Sequence, residues 1–222
     1  MKITSPLCKT TLMGLMAASL ALALTGCDSM GYQKGSKTGA DIQAAANRIA
    51  ALPNSIDQTI AALNDLVEKP QPDLRPQFKA FSSQLAEMSS EAKDIAAKRR
   101  SMAEEGKRFF AKWDEELAKI QNENIKARAQ SRKQEVTQKL QAIKQSYAEA
   151  ETAFEPFLAD LKDVQKYLSV DLTSGGIAAM KSTAAKATKE SVPLKQTISR
   201  LASDFKSLGL AMSPVTPPAP AK

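Results

Sequence analysis

The chain has 222 residues, 43% hydrophobic but only 5% aromatic, so its core must be thin and built mainly from Leu, Ile, Ala and Met. That length suits one domain with a short extension and excludes a multidomain assembly, and the net charge of +7 is a modest basic excess. Histidine is absent and both cysteines, Cys8 and Cys27, lie near the N-terminus. The rest of the chain therefore excludes His-dependent triads, thiol nucleophiles, disulfides and ordinary zinc sites.

Lys2 and Lys9 form a positive n-region, and residues 12–24 form an apolar run of 13, too short to span a bilayer comfortably. This pattern predicts a secretory signal over residues 1–26, which removes Cys8 and lowers the net charge to +5, with 29 basic against 24 acidic side chains. The run ends Leu24-Thr25-Gly26-Cys27, which resembles the bacterial lipobox. The resemblance implies a diacylglycerol thioether on Cys27, cleavage just before it, and acylation of the new amine by a fatty acid such as palmitate. One acyl chain holds a protein marginally, whereas two or three hold it permanently. Ala21-Leu22-Ala23 also fits an A-x-A cleavage site, which would release a soluble periplasmic protein. Asp28 resembles the residue that retains lipoproteins on the inner membrane of enteric bacteria, but that code varies, and inner and outer membrane both stay open. No later stretch approaches the roughly 18 apolar residues of a membrane helix, so the mature body is expected to be soluble.

Residues 27–40 read as a flexible tether: the segment after Cys27 holds three glycines, two serines and two lysines, and it spans about 20 Å as a random coil. Lys34 and Lys37 within it read as charges that keep the linker solvated, with contact to anionic lipid headgroups as the alternative. A helical coiled-coil domain is predicted over 41–210. In its first stretch Ile42, Ala46, Ile49, Ile56, Ile60, Leu63 and Val67 recur at helical spacing, and Pro53 interrupts without shifting the phase, as in a kinked single helix. Lys69-Pro70-Gln71-Pro72 forces a turn, after which Asp73 is a candidate cap and Pro76 fits a first helical turn.

The second stretch carries Phe78, Phe81, Leu85, Met88, Ala92, Ile95, Met102, Phe109, Trp113, Leu117 and Ile120, a seven-residue repeat with a stutter after Phe109. Phase is lost at Gln121-Asn122-Glu123-Asn124 and returns at Val136, Leu140, Ile143, Tyr147, Ala150, Phe154, Phe157, Leu161, Val164 and Leu168, across Pro156. Two architectures fit. Either one helix runs from Leu74 to Val170, about 140 Å long, or the chain turns at Asn122, a competent N-cap, into an antiparallel hairpin. The hairpin is preferred because a single rod leaves Phe109, Phe110 and Trp113 without a partner. Residues 169–176 end the third helix. Ile177, Met180, Ala184, Ala187, Ser191, Leu194, Ile198, Leu201, Phe205 and Leu208 form the fourth across Pro193, with Gly209 as its stop and a Pro-rich disordered tail over 211–222. The fold class is thus all-α, an elongated antiparallel bundle or coiled coil of about four helices; the alternative is one long continuous helix with shorter helices folded on each end.

Trp113-Asp114-Glu115-Glu116-Leu117 with Asn122, and Phe154-Glu155-Pro156-Phe157-Leu158 through Leu161-Lys162-Asp163 and Leu168, resemble an uncharacterised family of bacterial envelope lipoproteins, a coiled-coil domain of unknown function. The likeness runs from about Phe110 to Met180, while the N-terminal third matches only in helicity. It implies a helical fold and an envelope location and carries no catalytic residue.

Glu104-Glu105 and Asp114-Glu115-Glu116 are the densest carboxylates, but adjacent acids on a helix point about 100° apart and no histidine completes a di-iron pattern. They read as solvated faces paired with lysines. Lys98-Arg99-Arg100 with Lys107 and Arg108, and Lys126, Arg128, Arg132 and Lys133, form two basic patches that suit a solvated coiled-coil flank; secretion argues against nucleic acid and leaves anionic lipid, lipopolysaccharide or peptidoglycan as targets. Gly175-Gly176 lacks a Walker lysine and reads as a helix junction, and Trp113 reads as core. No catalytic, cofactor or metal site is expected, and the chain is not expected to be an enzyme. The leading functional expectation is a lipid-anchored envelope protein facing the periplasm, with a structural or interaction role through a helical partner or self-association. The alternative is a peptidoglycan binder or tether, suggested by the basic surface and by Lys222 after Ala219-Pro220-Ala221.

Overall fold

The structure, a computed structural model, describes residues 30–213, with side chains from Lys37 onward. Four α-helices follow one another: α1 (Met30–Glu68), α2 (Arg75–Ala118), α3 (Glu123–Val170) and α4 (Ser174–Met212). The connections are too short for anything but antiparallel neighbours. Pro53, Pro156 and Pro193 each sit inside a continuous helix.

Each turn has its own local chemistry. At the first, the Gln77 amide donates to the Asp65 carbonyl (3.0 Å), the Asp65 carboxylate (2.7 Å) and the Lys69 carbonyl (3.0 Å), while its oxygen accepts from the Gln71 amide (2.9 Å). Leu74, not Asp73, occupies the N-cap of α2; the Asp73 carboxylate instead accepts the Arg75 backbone N–H and its guanidinium. Proline at the second helical position removes one donor that would need a cap. At the second turn Asn122 is the N-cap of α3, its Oδ1 accepting from the amides of Asn124 (3.0 Å) and Ile125 (3.1 Å). This turn rules out the continuous helix. At the third, the Thr173 hydroxyl accepts from the Gly176 amide and donates to Asp171. A Cβ on Gly176 would lie 2.1 Å from the Asp171 carbonyl oxygen, so this glycine is required by a close approach; Gly175 is not similarly crowded.

Side-chain pairs give the register. As α1 rises from Asp57 to Asn64, its partners in α4 fall from Lys195 to Thr188. From Ser55 to Asp65 the partners in α2 fall from Glu91 to Gln77. Ser146 and Asp160 of α3 meet Asp204 and Lys186 of α4, and Asp114 and Arg99 of α2 meet Lys133 and Tyr147 of α3. The four helices therefore close an up-down-up-down ring. The α1–α4 seam is the most extensive and the α2–α3 seam the least.

The core is densest toward the end that carries the first and third turns. Ile56, Leu63, Leu66, Val67, Phe81, Leu85, Met88, Leu161, Leu168 and Ile177 are almost wholly buried there, each large apolar side chain stabilising the fold by about 1.5–3 kcal/mol. Toward the opposite end α2 contributes no buried residue between Ser89 and Leu117; Ile95, Met102, Phe110 and Trp113 are only half-buried against the other helices. The predicted seam of α2 thus holds fully over its first half alone.

Two expectations are corrected at the N-terminal end of the bundle. Residues 30–40 are helical rather than a flexible tether, and Gly209 lies inside α4 rather than ending it. The two corrected glycine positions meet: Gly39 is buried, its missing Cβ leaving room for the Gly209 carbonyl at 3.1 Å and the Met212 backbone at 3.3 Å, while a Cβ on Gly209 would meet Gln43 and the Gly39 carbonyl. The glycines allow close approach of two helices. The lipobox, Asp28 and the residues after Ser213, including Lys222, lie outside the described residues.

Spin labels at Met102 and Leu140 are expected within about 20 Å of each other, since neighbouring helix axes lie about 8–10 Å apart. One continuous helix would separate the same positions by about 57 Å, so a pulsed electron-spin measurement near that value would refute the turn. The glycines give a second check by thermal unfolding. Gly106 has nothing within 4 Å of a Cβ position, so Gly106→Ala should gain about 0.8–1 kcal/mol from helix propensity. Gly209→Leu should instead lose about 1–3 kcal/mol through overpacking, lowering Tm by about 2–4 °C per kcal/mol.

Candidate functional site

The described chemistry-bearing residues converge on one end of the bundle, where the α2–α3 turn meets the start of α1. The Lys133 ammonium pairs with Asp114 across α2 and α3, and the Arg132 guanidinium donates to the Ala211 carbonyl at the end of α4, close to Met212 and hence to Gly39. These contacts set all four helices level. Above that level α1 continues back nine residues to Met30, about 14 Å. From Arg132, α3 continues back ten residues to Asn122, about 15 Å. The N-terminus of α1 and the turn at 119–122 therefore stand at the same end and nearly the same height.

An open cleft of about 440 Å³ lies between α2 and α3 beside this turn, lined by Asp114, Leu117 and Ala118 of α2 and by Lys126, Gln130 and Lys133 of α3. Steps of three and four residues put each trio on one helix face. Ala118 and Gln130 are the lining residues the sequence reading did not single out, although the spacing of Gln130 from Lys126 and Lys133 carries the signal.

The second basic patch is divided by role. Arg132 and Lys133 tie α3 to α4 and α2, whereas Lys126 reaches Glu123 only at 3.8 Å and Arg128 is exposed and forms no ion pair among the described residues. In the first patch Lys107 pairs with Glu104 at 2.7 Å, and the Arg99 guanidinium lies 4.3 Å from the Tyr147 ring centroid. Phe109, Phe110 and Trp113 pack on one another, with Phe110 and Trp113 parallel at 6.1 Å, and all three stay half-buried.

The carboxylates are engaged by cations. Glu115 pairs with Lys112 at 2.9 Å, Glu116 with Lys119 at 2.9 Å and with Lys112 at 3.2 Å, and Glu105 accepts from Ser101. Hydrogen bonds from Lys107 and from Lys119 and Lys112 hold the Glu104 and Glu116 carboxyls below their usual range, which keeps them ionised rather than poised as acids. Among the described residues no group of three His, Cys, Asp or Glu side chains is placed to hold a metal ion.

Burial pushes the Tyr147 phenol above its usual range, Glu151 adds to the rise, and Arg99 opposes it. A folded value raised above the unfolded one stabilises the fold fully below the unfolded pKa, and that contribution is lost as pH rises through the folded value. Stability should therefore fall above about pH 10, with the loss reduced in Tyr147→Phe. Lys112 and Lys186, raised by hydrogen bonds to Glu115 and Asp160, act in the same direction, so the difference between wild-type and variant denaturation midpoints is the readout.

The model of the family described as Protein of unknown function (DUF2959) matches residues 24–207, starting at the first residue of the lipobox-like run and taking in the N-terminal third, where only helicity was expected to agree. No curated protein and no solved structure matches the chain. The chain belongs to the DUF2959 family.

Proposed function

We propose that this protein is a lipid-anchored lipoprotein of the bacterial cell envelope, facing the periplasm, with a structural or protein-interaction role rather than a catalytic one. The observation that carries the reading is Leu24-Thr25-Gly26-Cys27 at the end of a charged-then-apolar leader. Two further findings support it. No helix among the described residues is long and apolar enough to cross a membrane, so attachment of this bundle calls for covalent lipid or a partner. The one carboxylate lining the open cleft, Asp114, is spent on an ion pair with Lys133, which suits a surface built for contact more than for proton transfer.

A helical partner or a second copy would meet the bundle through its outer faces, where Val192 of α4 and Tyr167 and Val170 of α3 are exposed. Cys27→Ser should abolish acylation, because a serine cannot form the thioether, and should leave precursor that retains residues 1–26. Intact-mass measurement of the wild-type and variant proteins checks this. A wild-type product of unmodified mass beginning at Leu24 would show cleavage after Ala23 and overturn the reading.

A further inference from the structure

We infer that the end of the bundle formed by the α2–α3 turn is an anionic-lipid-facing surface, with Lys126 and Arg128 addressing headgroup phosphates. The inference rests on the lipid-anchor reading and adds the orientation and the contact. Cys27 precedes the first residue of α1 by only three residues, a reach of about 10 Å at full extension. α1 is held to α4 at Gly39 and Gly209, so the anchored N-terminus cannot swing away from the bundle without breaking that contact. The turn at 119–122 stands within about one helical turn of the height of Met30. An acylated Cys27 thus brings the turn to the headgroups.

The surface presented there fits that partner. Between residues 119 and 132 there are four cations, Lys119, Lys126, Arg128 and Arg132, and one anion, Glu123. Glu116 takes up Lys119, and Glu135 and the Ala211 carbonyl take up Arg132, which leaves Arg128 without an ion pair among the described residues and Lys126 with only a 3.8 Å contact to Glu123. Beside them Ile125 is an apolar side chain at the tip, 56% exposed among the described residues. An apolar residue flanked by cations is the arrangement that settles at a bilayer interface, the first entering the acyl boundary and the second reaching phosphate. The open cleft behind them is lined by Lys126 together with Leu117, Ala118 and Gln130, and its one carboxylate, Asp114, is already paired with Lys133. The opposite end of the bundle is charge-balanced: residues 65–79 carry three cations and three anions.

The test uses the full mature protein, purified from envelopes with detergent and inserted through its own lipid into vesicles of phosphatidylcholine, alone or mixed with phosphatidylglycerol. An environment-sensitive fluorophore is placed on Ile125→Cys or, at the far end, on Gln71→Cys. Position 125 should be quenched by headgroup-level brominated lipid in the mixed vesicles and position 71 should not. Lys126→Gln with Arg128→Gln should cut the quenching-derived surface association about thirtyfold, and circular dichroism checks that the helices remain. Acylated protein in which position 125 is no better quenched than position 71 overturns the inference and leaves the anchor intact. A mass lacking acyl chains on Cys27 overturns the anchor reading itself and, with it, this one. Retention on purified peptidoglycan that the same two substitutions abolish would assign the cations to the cell wall instead and also overturn the inference.

Discussion

Gly39 of α1 and Gly209 of α4 bring two helix backbones so close that a Cβ on either would lie 3.1 Å from the other's carbonyl oxygen, and this approach lies on the most extensive seam of the bundle. Ala184, Ala187 and Ala202 continue a run of small buried residues along α4. The least extensive seam is α2–α3, where Met102, Phe110 and Trp113 of α2 and Leu140 of α3 are half-buried large side chains packed against the core. The open cleft lies on this seam. Near the turn the two helices diverge enough to leave space above Leu117, while the ion pair between Lys133 and Asp114 limits how far they part.

Apolar periodicity tells a helix which face to bury but not which turn of its neighbour to meet, because a shift of one turn keeps the same face inward. Polar crosslinks remove that freedom. Asn64 with Thr188, Ser55 with Glu91, Ser146 with Asp204 and the Gln77 cluster each place a hydrogen-bonding group where solvent is partly or wholly excluded. Sliding one helix by a turn would leave several of these groups unpaired, and an unpaired buried polar group costs about 1–3 kcal/mol. Such pairs add little net stability while they are satisfied and a large penalty when they are not, which is how they select one register from several similar ones.

The four helices and their turns were legible because their signals are local: proline pairs at 70 and 72, the Asn122 cap, Thr173 before two glycines, and long three-four spacing between them. The Asn122 turn also resolved the choice between hairpin and rod in the direction the aromatic residues favoured. What was misread depends on residues far apart in sequence. Gly39 and Gly209 look like a tether glycine and a helix stop when each is considered alone, and only the packing of α1 on α4 reveals them as a matched pair. Gln77 is similarly invisible, since nothing local marks a glutamine in a first turn as the clamp on the preceding one. At the candidate site the sequence named Lys126, Arg128, Arg132 and Lys133 as one patch. Their division into two structural crosslinks and two available cations depends on Ala211 and Asp114, which sequence spacing does not bring near them.

The distribution of burial has a consequence for how the bundle opens. Local stability follows the density of buried apolar contacts, so segments with few of them open at lower free energy than the global transition. The end near the first and third turns has nearly every large side chain fully enclosed, whereas α2 from Ala92 to Glu116 holds none that is. Opening that half of α2 exposes side chains already half in water and breaks ion pairs that are themselves surface-exposed, each worth about 0–1 kcal/mol. Opening the N-terminal half of α1 or the C-terminal half of α4 would instead separate the glycine contact and the buried face behind it. The more adaptable half of α2 thus lies at the same end as the α2–α3 turn and the start of α1. A surface able to adjust its outer helix without loosening the α1–α4 pair can conform to a partner there while the far end stays rigid.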